Sequence, residues 1–328
     1  MDHLTHTLYG LALANTGLRR TAPHATLTLI MAANLPDVDL LSLFWGQIHY
    51  LKYHRGATHS LSGAILGALL LASAIQCVNN CVLKKSPASW SRLLGLALLG
   101  IGSHLLLDYT NSYGIRPLWP FSGHWYAWDI VFIIDPWILL VLILGLGGPF
   151  LFRLINQEIG AKPTQSYGGA VLCLATIFFY WIAKDISHRQ ALADLTQRTY
   201  ATGTALRVGA FPQLLDPFGW YGVVETETAY HKLSVGRGLS FDDSQTGHKT
   251  VHKADQSSII SAASKARYAQ IFLGFARFPL FEAEPSEQGY IVSLRDLRFD
   301  FASRVRRGFL CTIRLDQNLK VISEDFHF

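Results

Sequence analysis

The stretch Leu-Leu-Gly-Leu-Ala-Leu-Leu-Gly-Ile-Gly-Ser-His-Leu-Leu-Leu-Asp-Tyr-Thr, residues 93–110, decides the class of fold. An apolar run of this kind approaches the roughly 20 residues that a helix needs to cross a bilayer. Within it, His104 and Asp108 are four residues apart and therefore share one face of a helix. Ionisable groups beside lipid are costly unless a partner or a function compensates. The stretch therefore predicts a transmembrane helix that carries a polar site near its end.

The same apolar character extends over the first half of the chain. Half of the 328 residues are hydrophobic and only 16% are charged, and residues 1–184 hold just 7 of the 23 acidic residues. The predicted spans are 60–78, 93–110, 129–148 and 168–184, preceded by two shorter apolar stretches at 4–17 and 24–35. The short stretches predict a helical hairpin turned at 18–23 and ended by Pro36, since proline cannot continue the helical hydrogen bonds.

Residues 185–328 have the composition of a soluble domain. They predict a helix over 185–207, a strand over Trp220–Tyr230, a polar loop over 240–256 and a helix over Ser257–Phe275. Further strands are predicted at 278–284, 290–294, 297–301, 309–315 and 319–323. The predicted fold class is thus an α-helical polytopic membrane domain, residues 1–184, with a short N-terminal helical hairpin plus about four transmembrane helices. A soluble α+β domain, residues 185–328, follows it.

The distribution of basic residues predicts the orientation. If the chain crosses at each span, the connections 18–23, 79–92 and 149–167 share one side. That side holds seven basic residues: Arg19, Arg20, Lys84, Lys85, Arg92, Arg153 and Lys162. The opposite side holds only Lys52, Arg55 and Arg116. The positive-inside rule makes the first side cytoplasmic, so the C-terminal domain is predicted to be extracytoplasmic.

Histidine and aspartate motifs cluster on the predicted extracytoplasmic side. His3 and His6 share a helix face, Asp37 and Asp39 follow Pro36 in an extended turn, and a His-Arg-Gly-Ala-Thr-His-Ser run begins at residue 54. Carboxylates and imidazoles are the ligands that first-row divalent metals favour. The predicted metal ligands are His3, His6, Asp37, Asp39, His54, His59, His104 and Asp108. They suit one or two divalent ions, zinc or alternatively manganese.

Some of these residues have simpler interpretations. Asp37 and Asp39 are also typical of a helix end and turn, and His104 could pair with Asp108 alone. Asp135, which precedes a proline, could bind a ligand or support a kink.

The predicted chemistry is hydrolysis. A bound metal lowers the pKa of its water towards neutrality and polarises the scissile bond, and Asp129 is the predicted general base. Arg55 suits a phosphate or carboxylate of the substrate. A site at a membrane face predicts a lipid or lipid-linked substrate, and a phosphoester is the favoured class.

The sequence also bears on other functions and partners. The sequence predicts no nucleic-acid partner, because the net charge is only +5 and no basic tract alternates with aromatics. The protein partners stay unknown. The alternative functions are a divalent-metal binding or transport protein without hydrolase activity, and a scaffold whose C-terminal domain binds proteins.

The motifs together resemble those of a known family. Met-Asp-His-x-Thr-His, Pro-Asp-x-Asp, His-Arg-Gly-x-Thr-His-Ser, His-x-x-x-Asp and a following Trp-Asp occur here in the order typical of the YdjM-like family, over about residues 1–140. The resemblance implies a multi-pass protein of the bacterial inner membrane with metal-dependent hydrolase activity. A looser similarity links the motifs to zinc-dependent phospholipase C and P1-type nucleases. Those enzymes use an N-terminal tryptophan as a ligand, whereas this chain begins with Met1. Residues 185–328 resemble the C-terminal extension of longer family members.

Overall fold

The computed structural model describes residues 1–83, 89–158, 167–235, 248–255, 257–300 and 309–328. These residues form two compact units. One comprises Met1–Asp39 with Arg55–Ile186, and the other comprises Leu40–His54 with Ser187–Phe328.

The helices of the first unit are mostly long and apolar. They are α1 (His3–Asn15), α2 (Ala25–Asn34), α4 (Leu61–Cys77), α5 (Trp90–Thr110), α6 (Pro136–Glu158) and the first part of α7 (Gly168–Gln197); α3 (Gln47–Tyr53) belongs to the other unit. Within the described ranges, four helical stretches are long and apolar enough to cross a membrane: Ala25–Trp45, Leu61–Cys81, Trp90–Thr110 and Gly168–Gln197. The predicted polytopic membrane domain is confirmed.

Two helix boundaries differ from the prediction. The chain does not turn extended after Pro36, because a 3-10 helix runs from Leu35 to Trp45 and carries both aspartates of the motif. The stretch at 24–35, predicted as short, is part of the candidate span Ala25–Trp45, whereas the apolar helix in the predicted 129–148 span, Pro136–Pro149, is shorter than these four. The span predicted from residue 129 starts only at α6. There the Asp135 side chain accepts the backbone N–H groups of Trp137 and Ile138 at 3.0 and 3.1 Å. Pro136 needs no such acceptor, so it suits the first helical position.

Helix α5 lies at the centre of the first unit. In its 18-residue apolar stretch, 61% is buried inside the protein, whereas the buried share in the other three candidate spans is 22–33%. Helix α5 approaches α2 closely at Gly100, where a Cβ would lie 2.5 Å from Ala32 Cβ. Small residues allow membrane helices to pack backbone against backbone. This packing places the end of α5, with its His-x-x-x-Asp motif, among the other helices.

The second unit contains two antiparallel four-stranded sheets. The first sheet runs in the order β1 (Arg207–Pro212), β2 (Trp220–Glu225), β3 (Ala229–Val235) and β4 (Lys249–His252). The second runs β5 (Pro279–Ser286), β6 (Gly289–Asp296), β7 (Leu310–Asp316) and β8 (Val321–His327), and α8 (Ser258–Ser264) and α9 (Arg267–Phe275) pack against it. The predicted α+β domain is confirmed.

Details of this unit correct the sequence prediction. Helix α7 ends at Gln197 and not at 207, the segment predicted as one strand from Trp220 forms the hairpin β2–β3, and the helix predicted over Ser257–Phe275 is two helices. The strand predicted at 297–301 is wrong for its described residues, which form a turn after Asp296. The Asp296 carboxylate accepts the Arg298 N–H at 3.1 Å and so ends β6.

Some sequence predictions fall on residues that the structure does not describe. Most of the predicted 240–256 loop lies outside the described residues, and its described end forms β4. Lys84, Lys85 and Lys162 lie outside them as well, and so does the Arg153 side chain.

Candidate metal centre

Four buried side chains of the first unit converge from three local structures. The last turns of α5 present His104 and Asp108 on one face, the 3-10 helix after α2 presents Asp37, and a 3-10 turn at Ala57–His59 presents His59. One candidate ligand atom from each of the four residues lies within 4.8 Å of the other three. These residues, Asp37, His59, His104 and Asp108, are called the four-residue centre below.

The spacing of their atoms suits a metal ion. The two imidazole Nε2 atoms are 3.0 Å apart. Asp37 Oδ1 lies 3.5 and 3.6 Å from the His59 and His104 Nε2 atoms, and Asp108 Oδ2 lies 3.3 and 3.5 Å from the same two atoms. In a tetrahedral zinc site with bonds of about 2.0–2.1 Å, neighbouring ligand atoms are about 3.3 Å apart.

The neighbours of the Nδ1 atom, which faces away from the centre in each imidazole, indicate the tautomer of the ring. His104 Nδ1 lies 2.7 Å from the carbonyl oxygen of Ala33, which can only accept a hydrogen bond. His59 Nδ1 lies 3.2 Å from the Asp39 carboxylate. Both Nδ1 atoms therefore carry the proton, and both Nε2 atoms direct a lone pair inward.

Facing lone pairs and carboxylates favour a bound cation. The centre is fully or nearly fully buried, and Asp108 Oδ2 has no hydrogen-bond donor in the described part of the chain. Buried acceptors without donors are costly. The donor set, two imidazoles and two carboxylates, is the kind that binds zinc or manganese. The residues present therefore fit a divalent metal.

Asp39 occupies a different position from Asp37. Its Oδ2 accepts the backbone N–H of Arg55 and the Thr58 hydroxyl, each at 2.9 Å, beside its contact with His59. This carboxylate therefore orients the His59 ring and the turn before α4. Carboxylates that bind the outer nitrogen of a ligand histidine tune its orientation and basicity.

Replacing Asp39 with alanine should weaken divalent-metal binding about 10–100-fold without removing any atom of the four-residue centre. The reason is that His59 would lose the acceptor that holds its proton on Nδ1. Metal affinity can be measured by competition with a chromogenic chelator, with Asp129→Asn, another buried aspartate of this unit, as the matched control. Unchanged affinity in Asp39→Ala would show that His59 is oriented by something else.

Two further histidines border the centre. The His6 ring is buried and stacks on His104 with centroids 3.8 Å apart, and its Nε2 lies 3.5 Å from Asp108 Oδ1. His3 Nδ1 lies 3.1 Å from Asp37 Oδ2, and the His3 side chain is 56% exposed. His3 therefore lies at the solvent-accessible rim of the site.

Arg55 and the chain terminus contact the outer oxygen of Asp108. The buried Arg55 guanidinium donates to Asp108 Oδ1 at 3.0 Å and to Asn111 Oδ1 and the Gly114 carbonyl, both at 3.1 Å. The ammonium group of Met1 contacts the same Asp108 oxygen. The predicted role of Arg55 towards a substrate anion stays a prediction. The observed contacts show that it positions Asp108.

Two more predicted site residues, like His3, His6, Asp39 and Arg55, are not members of the four-residue centre. His54 ends α3, stacks on Tyr50 with centroids 4.3 Å apart, and is part of the second compact unit. Asp129 is buried in the first unit, in a left-handed backbone conformation with φ 62°. Their predicted roles as metal ligand and general base stay predictions.

Sequence reasoning missed two groups that support the centre. No sequence pattern marks the Ala33 carbonyl, because every residue has a backbone carbonyl. Asn111 had a signal, since it follows Asp108 by three residues at the end of α5, and its amide nitrogen lies 3.5 Å from Asp108 Oδ1.

The fold and the site define a class: a polytopic membrane protein with a buried aspartate–histidine centre that is compatible with metal binding. The model of the YdjM inner membrane protein family matches residues 1–191, and the chain belongs to this family. The YfhP C-terminal alpha/beta plait domain matches residues 258–328. The resemblance predicted from the motifs is thereby confirmed, and the protein is a multi-pass inner membrane protein.

A full-length relative has the same overall extent. The chain is 21% identical to the uncharacterized protein YfhP of Bacillus subtilis (strain 168) over 345 residues, which cover 99% of this chain and 97% of the relative. No solved structure matches the chain.

Proposed function

We propose that this protein is a membrane-bound metal-dependent hydrolase. The observation that carries the proposal is the four-residue centre, in which two fixed imidazole lone pairs and two carboxylates meet in a buried space. A divalent ion held there with a water molecule as a fifth ligand would lower the pKa of that water and polarise a phosphoester. Zinc suits the four donors best, manganese is the alternative, and the donor set accounts for one ion.

The surrounding residues hold the donors in position. Arg55 and Asn111 contact the outer oxygen of Asp108 and leave its Oδ2 directed at the histidines. Asp39 and the Ala33 carbonyl orient the two imidazoles. Asp129 is proposed as the general base, a role that requires it to be ionised near a substrate.

The proposed substrate is a phosphoester of a lipid or lipid-linked carrier. The centre belongs to the membrane unit, so a substrate held in the bilayer would reach it most readily. His3, half exposed at the rim, offers an imidazole at which such a substrate could enter. Because the connections on the other side of the membrane hold more basic residues, we propose that the centre is extracytoplasmic.

The transport alternative gains no support from Asp135. A transport path would use carboxylates within several spans, and Asp135, next to the apolar helix α6, is a candidate for one of them. Its Oδ1 instead accepts two backbone N–H groups at the start of α6, so it acts as a helix cap.

Purified protein in proteoliposomes should release phosphate or headgroup from at least one member of a panel of amphiphilic phosphoesters. Asp129→Asn should keep its metal and lose turnover by about 10²–10⁴-fold, the usual contribution of a general base.

Arg55→Ala tests whether Arg55 binds an anion of the substrate. A raised KM with retained metal supports contact with the substrate, and joint loss of metal and turnover supports positioning of Asp108 alone. Wild-type protein that holds metal, cleaves no member of the panel and moves the ion across the vesicle membrane would refute the hydrolase proposal.

A further inference from the structure

Two histidines of the second unit meet side by side on its first sheet. His231 lies in β3, and His248 immediately precedes β4, the edge strand of that sheet. The His231 Nδ1 atom lies 2.8 Å from the His248 Nε2 atom, and the two ring centroids are 5.0 Å apart. His231 and His248 are called the histidine pair below.

A chain of hydrogen bonds determines which nitrogen of His231 carries the proton. The Thr226 hydroxyl donates to the Ala229 carbonyl at 3.0 Å, so its oxygen accepts the Thr202 hydroxyl at 2.7 Å. The Thr202 oxygen in turn accepts the His231 Nε2–H group at 2.6 Å. The His231 ring therefore carries its proton on Nε2 and directs the lone pair of Nδ1 towards His248.

The surroundings of His231 also favour its uncharged form. The residue is buried in the sheet. Burial lowers the pKa of His231, and the neighbouring His248 and His252 lower it further. An imidazole nitrogen binds a metal only when it is deprotonated, so the Nδ1 atom of His231 is already in the form that a ligand needs.

A third imidazole comes from β4. In the register of the two strands, His231 pairs with Thr250 and Ala229 pairs with His252. Because side chains alternate between the two faces of a strand, His252 lies on the same face as His231. It is a diagonal neighbour of His231, at a separation of about 7 Å. His248 and His252 are both exposed, so an ion can reach them from solvent.

The distance within the histidine pair is close to that between two ligands of one metal ion. A hydrogen bond between the rings accounts for the observed 2.8 Å, whereas two nitrogen ligands of a tetrahedral zinc ion are about 3.3 Å apart. The exposed His248 ring would have to move by only about half an ångström to exchange the shared proton for an ion. Imidazole nitrogens are ligands that zinc, copper and nickel ions favour.

We propose that the histidine pair and His252 bind one divalent cation of the class that favours imidazole, such as zinc. The ion would link β3 to β4 and so hold the edge strand against the first sheet. This site belongs to the second unit and shares no residue with the four-residue centre.

Zinc content of the full chain tests this site. Protein purified in detergent is dialysed against buffered zinc, and the bound zinc is measured by elemental analysis. Wild type should hold one ion per chain more than His248→Gln, because glutamine keeps an N–H donor for His231 Nδ1 but lacks the imidazole ligand. The affinity of the altered site should fall by more than about tenfold, since groups that merely orient ligands already contribute that much.

Two further variants make the test specific. His327→Gln replaces another exposed histidine of the same unit, in β8 of the other sheet, and should keep the wild-type zinc content. His104→Ala should lose the ion of the four-residue centre and keep the ion of the histidine pair. The two sites can therefore fail independently.

Two results would overturn the proposal. Equal zinc content in wild type and His248→Gln would show that the histidine pair is only a hydrogen bond, and would leave the four-residue centre unaffected. An equal loss of zinc in His248→Gln and His327→Gln would show adventitious binding to exposed imidazoles.

Discussion

Replacing His104 with alanine, or Asp108 with asparagine, should remove the bound divalent metal and abolish hydrolysis together. Both residues belong to the four-residue centre, and metal ligands bind in their deprotonated form. The loss of metal affinity should exceed about a hundredfold, because even groups that merely orient ligands contribute about 10–100-fold. Elemental analysis of the purified variants, with turnover measured on the same samples, checks the result.

Asp129→Asn controls for the loss of any buried carboxylate in the membrane unit. It should keep the wild-type metal content, because Asp129 is not part of the four-residue centre. A His104→Ala protein with full metal content would place the metal elsewhere in the chain and remove the structural basis of the hydrolase proposal.

Gly100→Ala should destabilise the membrane unit by about 1–3 kcal/mol, the usual cost of an overpacked core. The new Cβ would lie 2.5 Å from Ala32 Cβ and 3.1 Å from the Leu29 carbonyl oxygen. Helix α2 would have to move away from α5. Thermal unfolding in detergent, followed by circular dichroism, measures the loss as a lower Tm.

Gly102→Ala is the matched control on the same helix. Among the described residues, a Cβ there meets no atom within 4 Å apart from the backbone of its own helix. Because alanine also has the higher helix propensity, the Tm of this variant should equal or exceed that of the wild type. Equal Tm values for the two variants would contradict the close packing of α2 on α5.

The Gly100 variant also links packing to chemistry. Helix α2 carries Ala33, whose carbonyl holds the outer nitrogen of His104. If α2 shifts, His104 loses this acceptor, and metal affinity should fall along with Tm. Gly102→Ala should leave the affinity unchanged.

The amino-acid sequence by itself determined the membrane class and part of the site. Apolar run length depends on local composition alone, so the spans at 60–78, 93–110 and 168–184 were predictable. The pairing of His104 with Asp108 was equally local, because a spacing of four residues puts two side chains on the same helix face. The predicted span began at residue 129, seven residues before the start of α6. Hydropathy does not show the helix cap that Asp135 forms.

Only the tertiary structure decided which polar residues meet. Asp37 and Asp39 are two residues apart in one 3-10 helix. Asp37 lies beside the Nε2 atoms of both centre histidines, whereas Asp39 lies beside His59 Nδ1. His54 and His59 come from one motif, but α3 and the turn before α4 belong to different compact units. These outcomes depend on the rotation and approach of whole elements, which the packing of α2 on α5 sets. Residue spacing alone does not specify how such elements pack in space.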